Sequence, residues 1–437
     1  MHKTDKTLSR RTLLRGMVAG TAISLSGSLT AKVPNTSALP ATTANAVDVA
    51  KDEKYWAEIA RFYDATQGIV NLEHGYWGKM AHPVQEYYLA ATKMVNRQNS
   101  YYARKDYDDQ HQLSVQRVAR ALGAHEDEIV LTRNATESIH NLIRQYRGLT
   151  AGDAVLYADV DYPSFKTAMV WLKQAYSVDV VELKLPVRAN QQELLSKYIA
   201  VFDANPQLKL MLLTHVSNQH GLVLPVKAIT DAARERGIDV ICDSAQSWGL
   251  IDYKVNDIGV DWIGFNLHKW IGSPLGVGAL YMRRGSLNKI APYPGEKDPQ
   301  NNDASTRVHS ATSNFAAMLS IPSALDFHES IGATSKEARL RYLRSLWSAE
   351  AENMPHIEML GGTDEASRTG MGSFRLIGKN TVDDAKALQQ KLENDFGIFT
   401  VIRKGLASGA CVRITPQVFN TPAQIELLVN SIKQLNS

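Results

Sequence analysis

Asp261-Trp-Ile-Gly-Phe-Asn-Leu-His-Lys269-Trp-Ile-Gly-Ser-Pro-Leu-Gly-Val-Gly-Ala-Leu-Tyr281 is the stretch of sequence from which the fold can be inferred. It places Lys269 between two short apolar runs, residues 262–265 and 277–281, which have the pattern of buried strands. Lysine is seldom enclosed in apolar surroundings, because burial disfavours the ammonium form and lowers its pKa. The pattern therefore indicates a lysine that can act as a nucleophile. A surface-loop lysine is the alternative that His268-Lys269 alone leaves open.

A carboxylate upstream gives this lysine a chemical context. The run Val240-Ile-Cys-Asp243-Ser-Ala-Gln246 has the pattern of an apolar strand that ends in Asp243. An activated lysine amine can form a Schiff base with a carbonyl, and pyridoxal phosphate is the commonest protein-bound carbonyl that uses one. A carboxylate can keep the pyridine nitrogen of this cofactor protonated, so that the ring acts as an electron sink. Lys269 and Asp243 together predict a site for pyridoxal 5'-phosphate.

Apolar strands alternate with helical patterns upstream of the lysine. The sequence predicts strands at residues 128–132, 154–157, 179–183, 208–213 and 239–242, and helices at 135–146, 163–176, 191–202 and 226–236. This alternation is typical of an α/β fold in which helices cover both faces of a mostly parallel sheet. Such sheets bind ligands at the carboxyl ends of their strands, where Thr132, Asp243 and Asn266 fall.

The regions on either side have different patterns. From about residue 324 the sequence predicts helices at 322–330, 336–352, 383–394 and 422–435, with strands at 373–377, 399–402 and 411–415. These elements indicate a smaller α+β domain, residues 324–437, after a large domain of residues 81–323. An N-terminal arm, residues 47–80, contains a predicted helix at 52–63 and a Gly-bracketed aromatic turn, followed by predicted helices at 84–96 and 109–122.

Residues 1–46 have the order of a twin-arginine export signal. Arg10-Arg11 precedes a weakly apolar run at residues 16–30, and Ala44-Asn-Ala46 matches an A-x-A cleavage site. The apolar run is too short, and too rich in Gly, Ser and Thr, to span a bilayer. We therefore expect the twin-arginine machinery to export the chain to the periplasm, without stable membrane insertion. A disordered basic tail is the alternative.

The charge of the chain depends on this signal. The precursor contains 48 Lys and Arg against 45 Asp and Glu, and removing residues 1–46 leaves 42 and 44. A net charge of about −2 provides no basic pattern for nucleic acid. Cys242 and Cys411 lie far apart in apolar runs, so we expect two core residues rather than a disulfide framework. We predict no metal site.

Seven short motifs follow one another along the chain. They are Thr132-Arg-Asn-Ala-Thr136-Glu-Ser, Asp161-Tyr-Pro-Ser, Thr214-His-Val-Ser-Asn218-Gln-His-Gly-Leu-Val-Leu-Pro225, Asp243-Ser-Ala-Gln246, His268-Lys269, Ala311-Thr312-Ser-Asn314 and Val412-Arg413-Ile-Thr-Pro416. In this order they resemble the class V aminotransferases, the fold type I pyridoxal phosphate group that includes cysteine desulfurases, kynureninase and isopenicillin N epimerase-like proteins. The export signal and the turn Glu73-His-Gly-Tyr-Trp-Gly78 make the chain most similar to the exported epimerase-like branch, which includes periplasmic siderophore-tailoring enzymes.

The resemblance implies a role for each matching residue. Lys269 would attach the cofactor, and Asp243 would pair with its pyridine nitrogen. Ala135 and Thr136 open a helix whose free N–H groups and dipole favour phosphate, although Thr136 would also suit an ordinary helix cap. The other implied cofactor contacts are Tyr162 against the ring, Asn218 and Gln246 at the phenolic oxygen, Asn266 and His268 at the phosphate, and Thr312 donated to the phosphate across the interface of a homodimer.

Arg413 is a charged residue on a predicted strand between Val412 and Ile414. A charge in that setting is costly unless an anion meets it. The resemblance implies a bidentate clamp on the α-carboxylate of the substrate, and we expect the guanidinium to be free of protein carboxylates. A structural salt bridge is the alternative.

The expected activity is a reaction at the α-carbon of an amino acid or an amino-acid-bearing metabolite, with Lys269 as the base. Because the sequence establishes one base and no second acid, it favours aminotransferase-type chemistry. Epimerisation, C–S or β-elimination lyase chemistry, and a non-catalytic cofactor-binding protein remain alternatives. Neither cysteine matches the loop cysteine of desulfurases, and no G-x-G-x-x-G supports a nicotinamide enzyme.

Overall fold

The computed structural model describes residues 39–40, 42–298 and 303–435 of the chain. Most of the predicted export signal, residues 1–38, lies outside the described residues. The strands, in chain order, are β1 Val70–Asn71, β2 Ile129–Thr132, β3 Ala154–Ala158, β4 Asp179–Leu183, β5 Arg188–Ala189, β6 Leu208–Thr214, β7 Asp239–Ser244, β8 Trp262–Asn266, β9 Gly278–Met282, β10 Ile357–Gly362, β11 Gly372–Leu376, β12 Ile398–Phe399, β13 Val401–Arg403 and β14 Cys411–Ile414.

The described helices pack around these strands. They are α1 Ala46–Val49, α2 Glu53–Ala60, α3 His82–Lys105, α4 Tyr107–Leu122, α5 Ala135–Gln145, α6 Pro163–Tyr176, α7 Gln191–Ala204, α8 Val226–Glu235, α9 Val255–Ile258, α10 Phe315–Leu319, α11 Ile321–Ile331, α12 Ala333–Ala351, α13 Val382–Phe396 and α14 Pro422–Gln434. The predicted helices 84–96 and 109–122 correspond to α3 and α4. Helix α3 extends further than predicted, and its helical geometry is interrupted at Asn99.

A seven-stranded sheet forms the centre of the large domain. Its strand order is β2-β9-β8-β7-β6-β3-β4, and every neighbouring pair is parallel except the two that involve β9. The predicted mostly parallel α/β sheet is therefore confirmed. The interior strand β6, Leu-Lys-Leu-Met-Leu-Leu-Thr, is buried at all but one position because helices cover both of its faces.

The register of this sheet aligns the carboxyl ends of three adjacent strands. Thr214 of β6 lies opposite Asp243 of β7, which lies opposite Gly264 of β8, two residues before Asn266. Neighbouring parallel strands carry their side chains to one shared edge, where ligands bind. The sheet thus places Asp243 and Asn266 at a common edge. Lys269 follows Asn266 by three residues along the chain.

A second sheet has the order β13-β14-β11-β10-β5. Two of its strands were not predicted: β10 and the short β5, which comes from the large domain and pairs in parallel with β10. The predicted boundary between residues 323 and 324 lies inside helix α11. The N-terminal arm joins the C-terminal layer, because β1 pairs with β12 and Glu73 forms a bridge with Thr415. Sequence patterns do not reveal these long-range pairings, since each is only a few residues long.

The described residues contain neither a helix that could span a membrane nor a cluster of metal ligands. No helix among them is both long and apolar enough to cross a bilayer. The same residues contain no group of three or more His, Cys, Asp or Glu side chains arranged to hold a metal ion.

Candidate active site

One cavity of about 560 Å³ lies at the carboxyl edge of the large sheet. Nine of the eleven residues that the sequence nominated line it. They are Ala135, Thr136, Tyr162, Asn218, Asp243, Gln246, Asn266, His268 and Lys269. The other two, Thr312 and Arg413, do not line this cavity.

Lys269 and Asp243 form the chemical centre of the cavity. Burial lowers the pKa of Lys269 to about 8, and the negative charge of Asp243 opposes that shift. Burial raises the pKa of Asp243 to about 6, while the backbone N–H of Ala245, which donates to its Oδ1 at 2.9 Å, and the charge of Lys269 act in the opposite direction. At neutral pH the cavity therefore holds an ionised carboxylate and an amine that loses its proton far more readily than an exposed lysine.

The N-terminus of helix α5 faces the same cavity. Asn134 caps the helix, because its Oδ1 accepts from the N–H of Glu137 at 2.9 Å. The N–H of Ala135 donates to Asn266 Oδ1 at 2.9 Å, so Asn266 fixes the start of the helix against the end of β8. Thr136 offers the next N–H and a hydroxyl at the cavity wall. This arrangement suits an anionic group such as a phosphate.

His268 lies beside this helix start and is held by Val277. Its Nδ1 is 2.9 Å from the carbonyl oxygen of Val277, and burial lowers the pKa of the ring to about 4. The imidazole is therefore neutral at physiological pH. A neutral ring whose Nδ1–H donates to Val277 leaves Nε2 as an acceptor, so His268 can orient a neighbouring donor but adds no positive charge.

Gln246 and Asn218 differ from the simple expectation of two free amides. The Nε2 of Gln246 donates to the carbonyl of Gly75 at 2.8 Å, and its Oε1 accepts from Trp270 Nε1 at 3.0 Å. Gln246 thus connects the turn of the N-terminal arm to the segment that carries Lys269. Asn218 lines the cavity; its backbone carbonyl accepts from Arg413 Nη1 at 2.6 Å, and its side-chain Oδ1 accepts from Gln219 Nε2 at 3.4 Å.

Tyr162 forms part of the cavity wall and is 40% exposed. It precedes helix α6, and its ring meets Phe165 edge-on with 5.2 Å between the ring centroids. The exposed face of such a ring can stack on a planar ligand. This position is compatible with the predicted contact between Tyr162 and a cofactor ring.

The turn Glu73–Gly78 closes one side of the site, and its glycines allow a close approach. A Cβ at Gly78 would lie 1.8 Å from the carbonyl oxygen of Lys269, and one at Gly75 would lie 2.5 Å from Arg413 Nη2. The N–H of Gly78 also donates to the carbonyl of His268 at 3.1 Å. Side chains at these two positions would force the turn away from the lysine segment.

Arg413 pairs with a carboxylate of the protein, which differs from the substrate contact expected from the sequence. Its fully buried guanidinium donates from Nη2 to both carboxylate oxygens of Glu73, at 2.7 and 2.8 Å. Thr415 Oγ1 donates to the same carboxylate at 3.0 Å. The expectation that Arg413 is free of protein carboxylates is therefore wrong: the alternative, a structural salt bridge, is the one observed.

Arg403 is a cavity residue that the sequence did not nominate. It ends strand β13, lines the cavity, and approaches Glu73 no closer than 3.7 Å. Burial and the neighbouring charge of Arg413 lower its pKa to about 10, and its Nε has no hydrogen-bond partner among the described residues. A charged residue at a strand end was the available signal, but Val-Ile-Arg-Lys alone does not indicate which domain face it would meet.

Thr312 lies in a different cavity, of about 690 Å³. That cavity is lined by residues 312–316 and by residues of helix α3 on both sides of Asn99. Within one chain Thr312 is therefore not part of the site that contains Lys269. Its predicted role across a subunit interface stays a prediction.

Both cysteines are free and buried, as expected of core residues. Burial raises the pKa of the Cys411 thiol to about 11, and Cys411 lies in β14 two residues before Arg413. Neither cysteine lines the cavity around Lys269. A protein thiol that could accept sulfur at the site is therefore absent from its described lining.

Comparison with known proteins identifies the family. The model of the family described as "Aminotransferase class-V" matches residues 79–428. This chain belongs to the class V aminotransferase family. It is an enzyme of that pyridoxal phosphate-dependent family, as the sequence motifs indicated.

Individual relatives are distant. The chain is 23% identical to isopenicillin N epimerase of Amycolatopsis lactamdurans over 400 residues, which cover 87% of this chain and 98% of the relative. It is 28% identical to a cysteine desulfurase of Haloferax volcanii over 350 residues, covering 75% and 78% of the two chains. The fold is similar to that of the cysteine desulfurase CsdA from Escherichia coli, with a TM-score of 0.72, 20% identity, and coverage of 87% and 98%.

The residues present fit the cofactor of the family. The cavity combines an amine of lowered pKa, a buried carboxylate, a capped helix N-terminus and an exposed aromatic ring within one wall. These groups match the carbonyl, pyridine nitrogen, phosphate and ring of pyridoxal phosphate.

Proposed function

We propose that the protein binds pyridoxal 5'-phosphate at Lys269, removes the α-proton of an amino acid substrate, and eliminates a substituent from its β-carbon. The observation that carries the proposal is the composition of one cavity. Among the described residues, Lys269 is the one lysine in its lining, and it lies beside Asp243.

Each group has a defined task. When bound, pyridoxal phosphate supplies an electron sink for the negative charge that develops at the α-carbon. Asp243 holds a proton on the pyridine nitrogen, and Ala135 and Thr136 hold the phosphate at the helix N-terminus. Lys269 would hold the cofactor, and its free amine would accept the α-proton of the substrate. A pKa near 8 suits a base that operates close to neutral pH.

The cation that receives an anionic group of the substrate is Arg403 in this proposal. Arg413 is already neutralised by Glu73, and Gly75 lies against its guanidinium. Arg403 lines the cavity and has only a long contact of 3.7 Å with Glu73, so its guanidinium can meet a substrate carboxylate more readily than the tightly paired Arg413. Arg403→Met should therefore raise KM more than it lowers kcat, because it removes a binding contact rather than the base.

One observation favours the alternatives over the aminotransferase-type chemistry that the sequence favoured. The relatives described above are an epimerase and cysteine desulfurases, so they support the alternatives better. A single base is sufficient for elimination, as it is for transamination: Lys269 takes the α-proton, and the leaving group departs with the electrons of its bond to the β-carbon. Since neither cysteine lines the cavity, the group leaves to solution and not onto a protein thiol. The unsaturated amine left behind then hydrolyses to a 2-keto acid and ammonia.

Epimerisation is the second candidate. It is favoured by the similarity to the Amycolatopsis isopenicillin N epimerase, which extends over 98% of that relative. It needs a second proton donor on the opposite face of the α-carbon. His74 is unsuitable, because it is buried, lies 3.1 Å from the Asn71 carbonyl, and is outside the cavity lining. Tyr76 lines the cavity and is 75% exposed, so its hydroxyl is the available donor.

One experiment separates these reactions. The purified, cofactor-loaded enzyme is incubated in deuterated water with a panel of L-amino acids, including cysteine, cystine and serine, without any keto acid. Keto acid and ammonia that depend on a β-substituent would support elimination. Inverted, deuterated substrate would establish epimerisation, and accumulation of the pyridoxamine form of the cofactor would establish transamination. Either of the last two results, without keto acid release, would overturn the elimination proposal.

Export and assembly complete the proposal. The Arg10-Arg11 signal supports transfer of the folded, cofactor-loaded protein to the periplasm by the twin-arginine machinery. The implied contact of Thr312 supports a homodimer with a shared active site, because within one chain this residue lines a separate cavity. Sedimentation of the purified protein checks this assembly, and a monomer that retains full activity would contradict it.

A further inference from the structure

A second, charged cavity lies away from Lys269. It has a volume of about 430 Å³ and separates the start of the N-terminal arm from helix α12. Val47, Ala50 and Lys51 line one side, while Arg341 and Arg344 are among the residues on the helix side. No residue of this cavity lines the Lys269 cavity. The charge of this cavity does not depend on the reaction at Lys269.

Arg344 is the unusual residue of this cavity. It is 6% exposed, its Nε is buried without a hydrogen-bond partner, and it forms no hydrogen bond or ion pair within the described part of the chain. Burial lowers its pKa to about 10; the charges of Arg368 and Arg341 act in the same direction, and the charge of Glu352 opposes the shift only in part. Every other buried arginine of the described ranges has a partner in the protein.

The carboxylates nearby are already committed to other arginines. Glu352 accepts from Arg188 at 2.8 Å and from Arg368 at 3.0 Å. Glu337 accepts from Arg341 at 2.7 Å.

Arg341 and Arg368 also line the cavity, as does Lys51. Glu365 is the one carboxylate in the described lining, so three further cations surround Arg344 against one anion. The electrostatic field in the cavity therefore favours an anion.

An uncompensated buried cation is costly, because desolvation of the guanidinium is not repaid by an opposite charge. Buried charges in proteins are paired or hydrogen-bonded as a rule. Guanidinium groups present a fork of N–H donors that matches the oxygen atoms of carboxylates and phosphates. The side of the cavity formed by Val47, Ala50 and Tyr342 can accommodate the carbon atoms of an organic anion.

We propose that this cavity is a binding site for a small oxyanion, a phosphate or carboxylate group held by Arg344 with Arg341, Arg368 and Lys51 around it. The ligand neutralises Arg344 and bridges helix α12 to the N-terminal arm. Its source is either a free inorganic anion or a small metabolite that carries the same group. Binding stabilises the folded protein, because the anion joins two segments that otherwise meet across a cavity.

The test uses the mature, cofactor-loaded enzyme in a buffer free of phosphate and carboxylate, at constant ionic strength. Thermal unfolding is followed while inorganic phosphate, glycerol phosphate or citrate is titrated. Tm should rise with at least one of these anions, and Arg344→Met should bind it at least about tenfold more weakly. Arg344→Met should also have a higher Tm than wild type without any anion, because it removes an unpaired buried charge.

Arg236→Met is the matched control, since Arg236 pairs with Asp203 on the surface outside this cavity. It should respond to the anions as wild type does. A preference for glycerol phosphate or citrate over inorganic phosphate would assign the site to an organic anion, and the reverse to a free ion. The proposal is wrong if wild type responds to none of the three anions. It is also wrong if Arg344→Met responds equally, which would place the anion at another site on the protein.

Discussion

Replacing Arg413 by Met tests whether this residue is a structural partner of Glu73 or a free substrate clamp. The guanidinium is fully buried, and the carboxylate that it contacts with Nη2 at 2.7 and 2.8 Å is nearly so. Arg413→Met leaves Glu73 with the hydroxyl of Thr415 as its hydrogen-bond donor. Breaking a buried ion pair in this way costs about 3–5 kcal/mol, which is a large fraction of the stability of a domain.

A double-mutant cycle gives the coupling directly. Glu73→Gln alone should cost less, about 1.5–3 kcal/mol, because Arg413 keeps its hydrogen bond to the carbonyl of Asn218. The double variant Glu73→Gln/Arg413→Met removes both charges, so its loss should be smaller than the sum of the single losses by at least about 1 kcal/mol. Urea unfolding of the cofactor-loaded enzyme, followed by circular dichroism, measures the three values.

Arg375→Met serves as the control, since Arg375 is also buried and pairs with Glu358 away from the cavity. It should lower stability without changing KM. Losses for Glu73 and Arg413 that add within about 0.5 kcal/mol would refute the structural pairing. An Arg413→Met enzyme of unchanged stability and strongly raised KM would restore the substrate clamp that the sequence suggested.

The remaining predictions concern the cofactor, pH and export. Lys269→Ala should purify without a borohydride-trappable lysine adduct, and a trapped adduct on another lysine would contradict the assignment. Attachment of pyridoxal phosphate to the cofactor-free enzyme needs the neutral amine of Lys269, so the rate of attachment should rise with pH, with a midpoint of about 8. Asp243→Asn should lower that midpoint, because it removes the negative charge that raises the pKa of Lys269. Pairing with Arg413 holds the pKa of Glu73 below its ordinary 4.5. The contribution of this ion pair to stability is therefore fully present above pH 4.5, and it is lost as the pH falls through the lower pKa of the folded protein. Glu73→Gln should make the stability less dependent on pH in this acid range. Changing Arg10 and Arg11 to Lys should retain the folded, yellow precursor in the cytoplasm, as fractionation would show, and undiminished periplasmic protein would refute the export signal.

The sequence by itself determined the architecture, because that follows from local patterns, and the order of its motifs indicated most of the cavity residues through their resemblance to a known family. Apolar strands of period two alternating with helices predict a covered parallel sheet, and parallel strands carry their carboxyl ends to one edge. The positions of Asp243 and Asn266 were therefore predictable from strand ends alone. The start of helix α5 at residue 135 was likewise predicted, although its cap is Asn134 and not Thr136.

Only the tertiary structure decided which distant groups neutralise one another. Glu73 and Arg413 are 340 residues apart, and the sequence alone gives no reason for the arm to meet β14 and not solvent. The sequence likewise does not show that Arg403 lines the cavity, which follows from the position of β13 at the edge of the second sheet. Nor does it show that Arg344 lacks a partner, because that depends on which residues surround it in the fold. Secondary structure depends on periodicity along the chain, whereas the fate of a buried charge depends on packing between segments that no local pattern brings together.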